Sequence, residues 1–219
     1  MIVSHIMSMN TANDWDQFWK NSNLQKIIYL FRKFEIFYYL NTILKKFKKV
    51  DSFCELGCGS SILLSKLSKN VKKVVGIDYS SSALKASKNF FNSKQVANFE
   101  LIQDDVTKLK TKKKFDVVFS NGLVEHFSDP LIVIDNHVKI TKKGGSTIIL
   151  VPLKHSFKYI WFLLSKINRK LWPWPDQIFF TTNSMKQICK EYYNNKKLNI
   201  SIKNIWLTAN VLLVVKKTV

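Results

Sequence analysis

Short apolar runs at residues 50–56, 73–78, 98–102, 115–120 and 145–151 alternate with helical patterns at 61–69, 80–93 and 129–141. That alternation constrains the fold more than any other feature of the chain. Strand, helix and strand in such lengths make a βαβ unit, and successive units make a parallel sheet with right-handed crossovers. The ending breaks the rhythm. "LNISIKNIWLT" and "NVLLVVKKT" have only Ala209 and Asn210 to turn in, which leaves no room for a helix and predicts an antiparallel hairpin.

Ahead of the alternation, residues 13 to about 49 read as helical. Leu24, Ile27, Ile28, Phe31, Phe34, Phe37, Tyr38, Ile43, Leu44 and Phe47 recur at steps of three and four, which predicts one apolar stripe. Lys45, Lys46, Lys48 and Lys49 follow where cations favour a helix dipole. The expected organisation is a helical extension over 1–49 and one α/β domain over 50–219, with an insertion at about 153–180.

A chain of 219 residues is long enough for one sizeable core. Its formal charge of +20 suits nucleic acid, an anionic membrane or acidic substrates, or is simply a lysine-rich solvated surface. Arg32 and Arg169 are the only arginines. Guanidinium is the preferred bidentate phosphate reader, so their scarcity argues against a dedicated nucleic-acid reader. Cys54, Cys58 and Cys189 form neither a CxxC pair nor a disulfide framework and read as small buried residues of a reduced, intracellular protein. "MIVSHIMSMN" lacks the basic start and apolar run of a signal peptide, and "YIWFLL" is too short to span a bilayer. The expected location is cytoplasmic, with peripheral membrane contact as one reading.

The first run ends in "CELGCGSS". Gly57 and Gly59 permit torsions that side chains forbid and let a ligand approach bare backbone. In an open α/β sheet that turn is the floor of the ligand site. Asp78 ends the next strand about twenty positions on, where an acid accepts from ribose hydroxyls. It also suits a cap of the helix that follows. A dinucleotide needs GxGxxG, but Ile62 takes the third glycine's place, and the GK[ST] of a phosphate loop is absent. The turn therefore suits a ribose-bearing ligand without a pyrophosphate.

"ELGCGSS", "GIDYSSSAL", "DDVTKL", "FDVVFSNGLVEHFSDP" and "KKGGSTIIL", in this order, resemble the successive motifs of the class I S-adenosylmethionine-dependent methyltransferases, over residues 50–151. The resemblance implies a Rossmann-like, doubly wound, seven-stranded and mostly parallel sheet, with S-adenosyl-L-methionine as cofactor. It places Glu55 and the backbone around Gly57 and Gly59 at the amino-acid end of the cofactor, and Asp78 at the ribose. Tyr79 would pack on the adenine. Asp105, rather than its neighbour Asp104, would accept from the adenine amino group, with the Val106 backbone beside it. Ser120 and Asn121 would face the sulfonium and methyl group. Ser61 departs from the family, which usually has a third glycine there.

His126 in "LVEHFSD" is the candidate catalytic base, since a neutral imidazole accepts a proton near pH 7. Glu125 beside it could orient the substrate or hold a metal; some quinone-precursor O-methyltransferases carry a similar "EH", but the stretch is too short to predict a metal. Substrate identity is expected outside the shared core. Trp15 and Trp19 mark one such part. Phe157, Ile160, Trp161, Leu164, Ile167 and Leu171 mark the other, ahead of Trp172-Pro173-Trp174-Pro175. That stripe reads as a lid whose apolar face covers the cleft, as a lid that also touches membrane or an apolar substrate, or as a nucleic-acid surface. The expected activity is methyl transfer to a small molecule such as a lipid, quinone precursor or sugar-derived metabolite. The alternatives are a nucleic-acid methyltransferase and a non-catalytic cofactor-binding protein. "SNGLVEHF" lacks the Asn-Pro-Pro-aromatic loop of exocyclic-amine methylation, and the cofactor residues are all present.

Overall fold

A computed structural model describes residues 14–15, 22–47, 49–166 and 177–218, with 22–31 and 165 described by backbone alone. Among the described residues one sheet contains β1 Ser52–Leu56, β2 Lys73–Asp78, β3 Phe99–Gln103, β4 Phe115–Asn121, β5 Thr141–Pro152, β6 Leu198–Ile205 and β7 Asn210–Lys217. Their spatial order is β3-β2-β1-β4-β5-β7-β6. The first five are parallel, and β7 runs antiparallel between β5 and β6, closing the expected hairpin. Strand order reverses between β1 and β4, so a crevice opens at their carboxyl ends.

The helices are α1 Ser22–Asn41, α2 Ile62–Leu67, α3 Ser81–Ser93, α4 Pro130–Lys139, α5 Phe157–Ser165, α6 Thr182–Ile188 and α7 Lys190–Tyr193. Local chemistry starts them. The Ser80 hydroxyl accepts from the Ala83 amide at 3.1 Å, so Ser80 rather than Asp78 caps α3. Asp129 caps α4 with Pro130 in its first turn.

Strand alternation divides the core into two layers. Phe53, Val117, Phe119, Ile148 and Leu150 face Ile36, Tyr39, Leu63, Leu64 and Phe91 on one side. Cys54, Leu56, Val118 and Ile149 face Val133, Ile134 and Met185 on the other. Burying each large apolar side chain contributes about 1.5–3 kcal/mol.

The expectation for the amino-terminal helix is corrected here. The amino-terminal helix stops at Asn41, where the side chains of Asn41 and Thr42 bond back to the Phe37 and Tyr38 carbonyls at 2.8 and 2.6 Å and compete with helix continuation. A separate 3-10 turn follows at Lys45–Phe47. Its stripe also faces otherwise than expected: Ile36, Tyr39 and Leu44 are buried while Phe34 and Phe37 point outward. The side chains of Leu24, Ile27, Ile28 and Phe31 lie outside the described residues. In the expected lid segment, Phe157, Ile160, Trp161 and Leu164 are exposed, while Tyr159 and Phe162 supply the inward face of α5 and pack on Phe179. Trp19, Ile167 and the stretch from Leu171 to Pro175 lie outside the described residues. No helix among the described residues is long and apolar enough to cross a membrane.

Candidate functional site

The turn after β1 is tied down from β2. The Gly57 and Cys58 amides donate to the Ile77 carbonyl at 2.8 and 3.2 Å. Gly57 has φ +66°, and a Cβ there would meet Leu123 Cδ1 at 2.9 Å, so glycine is required on two counts. Asp78 accepts from the Gly59 amide on one oxygen and from the Ser80 amide on the other, both at 2.9 Å. A carboxylate has about four acceptor sites. Asp78 therefore fixes the glycine turn and the start of α3 and still has lone pairs for ligand hydroxyls. Burial pushes its carboxyl above the usual range.

Ser61 also adopts a left-handed conformation, φ 53° and ψ 31°, at the start of α2. Its hydroxyl pairs with Ser87 at 2.8 Å, and Ser87 in turn bonds the Gly59 carbonyl. The side chain that replaces a glycine thus occupies a glycine's torsion and is anchored there.

Alternation decides which other side chains reach the crevice. Glu55 shares the face of Phe53, toward α1, and Asn121 shares that of Phe119. Both line one pocket with Cys58, Tyr39 and Arg32. Ser120 points to the opposite face. It is fully buried, and its hydroxyl meets His137 Nε2 at 2.9 Å. His137 Nδ1–H donates to the Val133 carbonyl at 2.7 Å, so Nε2 is the acceptor and Ser120 the donor. The Ser120 side chain is therefore committed to α4.

Arg32 is the residue that motif reasoning missed. It arrives from α1, 23 residues before Glu55, with no local pattern to flag it. Among the described residues it closes no ion pair. Yet its charge bears on Glu55, Asp78 and Glu125 alike, on Glu125 together with the larger effect of Lys158. Glu55 and Glu125 are each over nine-tenths buried, and one oxygen of each has no hydrogen-bond partner. Burial, aided by Asp78 and opposed by Arg32, holds the Glu55 carboxyl up at about 8; burial holds Glu125 up at about 7. A partly buried guanidinium and a buried carboxyl that have not closed on each other suit a ligand carrying both an acid and an amine.

On the purine side, Tyr79 is half exposed at the tip of β2. Asp104 is consumed by turn building: it accepts from the Asp105, Lys110 and Thr111 amides at 2.9, 2.9 and 3.2 Å. Asp105 uses one oxygen on Thr107, at 2.8 Å to the amide and 2.7 Å to the hydroxyl. The Val106 carbonyl accepts from Asn136 at 2.8 Å.

Past β4, a 3-10 turn at Val124–His126 carries the candidate base. His126 is buried, and burial pushes its imidazole down to about 4. Its ring meets Trp15 edge-on with centroids 5.0 Å apart. Glu125 lies on the Arg32 side: a Cβ on Gly122 would stand 3.7 Å from Glu125 Oε1 and 3.9 Å from Arg32 Nη2. No group of three metal-ligating side chains occurs among the described residues.

Residues 47–201 match a family model described as a methyltransferase domain. A ubiquinone biosynthesis O-methyltransferase of Coxiella burnetii is 29% identical over 147 residues, covering 67% of this chain and 60% of the relative. One from Pelagibacter ubique is 28% identical over 161 residues, covering 70% and 65%. The chain thus spans about three fifths of the length of the curated relatives it matches. Among solved structures, the N-methyltransferase NodS of Bradyrhizobium japonicum in complex with S-adenosyl-L-homocysteine superposes with a TM-score of 0.68 at 16% identity, covering 95% of this chain and 98% of that one. At that identity the likeness shows the shared fold.

Proposed function

The chain belongs to the methyltransferase-domain family, and from that premise we propose that it transfers a methyl group from S-adenosyl-L-methionine to a hydroxyl of a small apolar molecule, in the manner of a quinone-precursor O-methyltransferase. One observation carries the reading: Arg32 and Glu55, a guanidinium and a carboxyl left open to each other, line one cavity at the crevice of the sheet. In this reading Arg32 takes the carboxylate of the amino-acid end and Glu55 its ammonium. Asp78 takes the ribose hydroxyls, Tyr79 covers the adenine, and Asp105 with the Val106 backbone accepts and donates at its edge. Asn121 faces the sulfonium. When bound, the cofactor supplies an activated methyl group.

The protein's part is to align the acceptor, exclude water and receive a proton. Two neighbours compete for the last task. A ring held near 4 is neutral at pH 7 and a weak base, whereas a carboxyl held near 7 is matched to proton transfer there. We assign proton removal to Glu125 and contact with the acceptor to His126, braced by Trp15. The relatives are named for O-methylation in ubiquinone biosynthesis, and the aromatic set of Tyr159, Phe162 and Phe179 supports an apolar acceptor here. The same reading has the enzyme work in the cytoplasm, peripheral to a membrane.

Labelled methyl from the cofactor, incubated with the protein and a fractionated cell extract, tests the substrate class. Label is expected in organic-soluble small molecules. Label confined to RNA, DNA or protein contradicts it.

A further inference from the structure

We propose that Lys158 of α5 is a positioning residue for proton removal: clamped by Glu35 of α1, it stands as the fixed counter-charge of the Glu125 carboxylate. This rests on the assignment of the base above and adds the cation that such a base needs. Lys158 Nζ lies 2.6 Å from Glu35 Oε1, and the two side chains are only 20 and 14% exposed. The same ammonium donates to Asn210 Oδ1 at 3.4 Å. Asn210 is itself buried, and donates to the Tyr39 hydroxyl at 2.7 Å and the Thr208 carbonyl at 2.9 Å. Partners on α1 and β7 thus fix the tip of a side chain that ordinarily keeps much rotamer freedom.

The clamp belongs to the surroundings of Glu125. Glu35 stands three residues after Arg32, on the same face of α1. Arg32 Nη2 and Glu125 Oε1 lie 3.9 and 3.7 Å from the point that a Cβ on Gly122 would occupy. The charges that bear on Glu125 are few: the Arg32 guanidinium and the Glu35 acid from α1, and Lys158 from α5, whose effect exceeds that of Arg32. His126, next in the chain, is neutral at pH 7. The segment from Gln177 to Phe180, whose Ile178 amide donates to the Glu125 carbonyl at 2.9 Å, carries no titratable side chain.

Ligand binding shows what the cation is for. In the reading above Arg32 is taken by the carboxylate of the cofactor, which spends its charge. Glu125 has one buried oxygen without a hydrogen-bond partner among the described residues, and it must be ionised before it can receive the hydroxyl proton of the acceptor. A buried carboxyl with no cation near it stays protonated. Lys158 is the cation that remains once Arg32 is committed. Glu35 holds it in place and at the same time opposes it, because a second acid disfavours an ionised Glu125. The two halves of the clamp therefore act on the base in opposite senses.

The chain has five glutamates, so NMR of the full chain labelled at the glutamate carboxyl carbon gives a spectrum in which Glu125→Gln identifies the Glu125 signal. The test is the pH titration of that signal, free and with S-adenosyl-L-homocysteine added. Lys158→Met should move its midpoint up and Glu35→Gln should move it down, each by about half a pH unit or more. Lys158→Arg keeps the charge and should stay near wild type. Both main variants break the same ion pair, so a merely structural clamp would move the midpoint in one direction for both. Shifts of the same sign overturn the proposal, as does an unchanged midpoint in Lys158→Met. Transfer of labelled methyl into the organic-soluble fraction of a cell extract reads the base itself. Opposite shifts with undiminished incorporation by Glu125→Gln overturn the proposal through the base assignment instead, so the two failures are told apart.

Discussion

Ser61 shows what one side chain can cost. It sits in the left-handed region with its hydroxyl on Ser87. Ser61→Ala keeps the torsion and loses the bond, whereas Ser61→Gly loses the bond and relieves the torsion. Denaturant unfolding should therefore find the glycine variant more stable than the alanine variant by about 1 kcal/mol. The adjacent pair Glu125 and His126 makes a kinetic prediction. Burial raises the acid and lowers the ring, so turnover should climb as pH rises through about 7. Glu125→Gln should lower kcat by roughly a hundred- to ten-thousand-fold and remove that rise. His126→Ala should cost less and keep it. The opposite pattern returns the base to His126.

At the scale of elements, the join between α1 and α5 is an ion pair, Glu35 with Lys158, both largely withdrawn from water. Glu35→Gln leaves a largely buried ammonium with a weaker partner. A loss of about 1–3 kcal/mol is expected, read as earlier proteolysis within α1 and a lower Tm. An unchanged digestion pattern would mean that α1 is held by Ile36, Tyr39 and Leu44 alone. Elements whose faces are set by the sheet were legible in the chain. β1 to β4 and helices α2 to α4 were found within a few residues, because alternation and caps leave local traces. β5 was read from 145 but starts at Thr141. Its opening is hidden by Lys142, Lys143 and two glycines, where register against β4 shifts and a Cβ on Gly145 would lie 2.7 Å from the Asp116 carbonyl. The facing of α1 was unreadable for another reason. The site draws Arg32 and Glu35 inward, so Phe34 and Phe37 go out; a stripe counted in sequence cannot know which face covers a polar cavity.

Across the whole molecule, the motifs located the crevice while distance in sequence concealed its counter-charge. Glu55, Asp78 and Asn121 lie at strand ends, where residue order predicts a ligand. Arg32 joins them only through the packing of α1 on the sheet. The open pair also links binding to pH. The folded Glu55 carboxyl is raised above its ordinary value, so the folded state holds the extra proton between that value and about 8. Its contribution to stability falls as pH rises through that window. A ligand ammonium needs the ionised form, so binding releases the proton and strengthens over the same range, by at most about tenfold per pH unit.

Isothermal calorimetry with S-adenosylmethionine and S-adenosylhomocysteine at pH 6, 7 and 8, on wild type and Arg32→Met, is the most direct test. Heat with both ligands, tightening toward pH 8 and at least about tenfold weaker in the variant, is the predicted result. Well-folded wild-type protein that gives no heat with either ligand at any of these pH values contradicts the account.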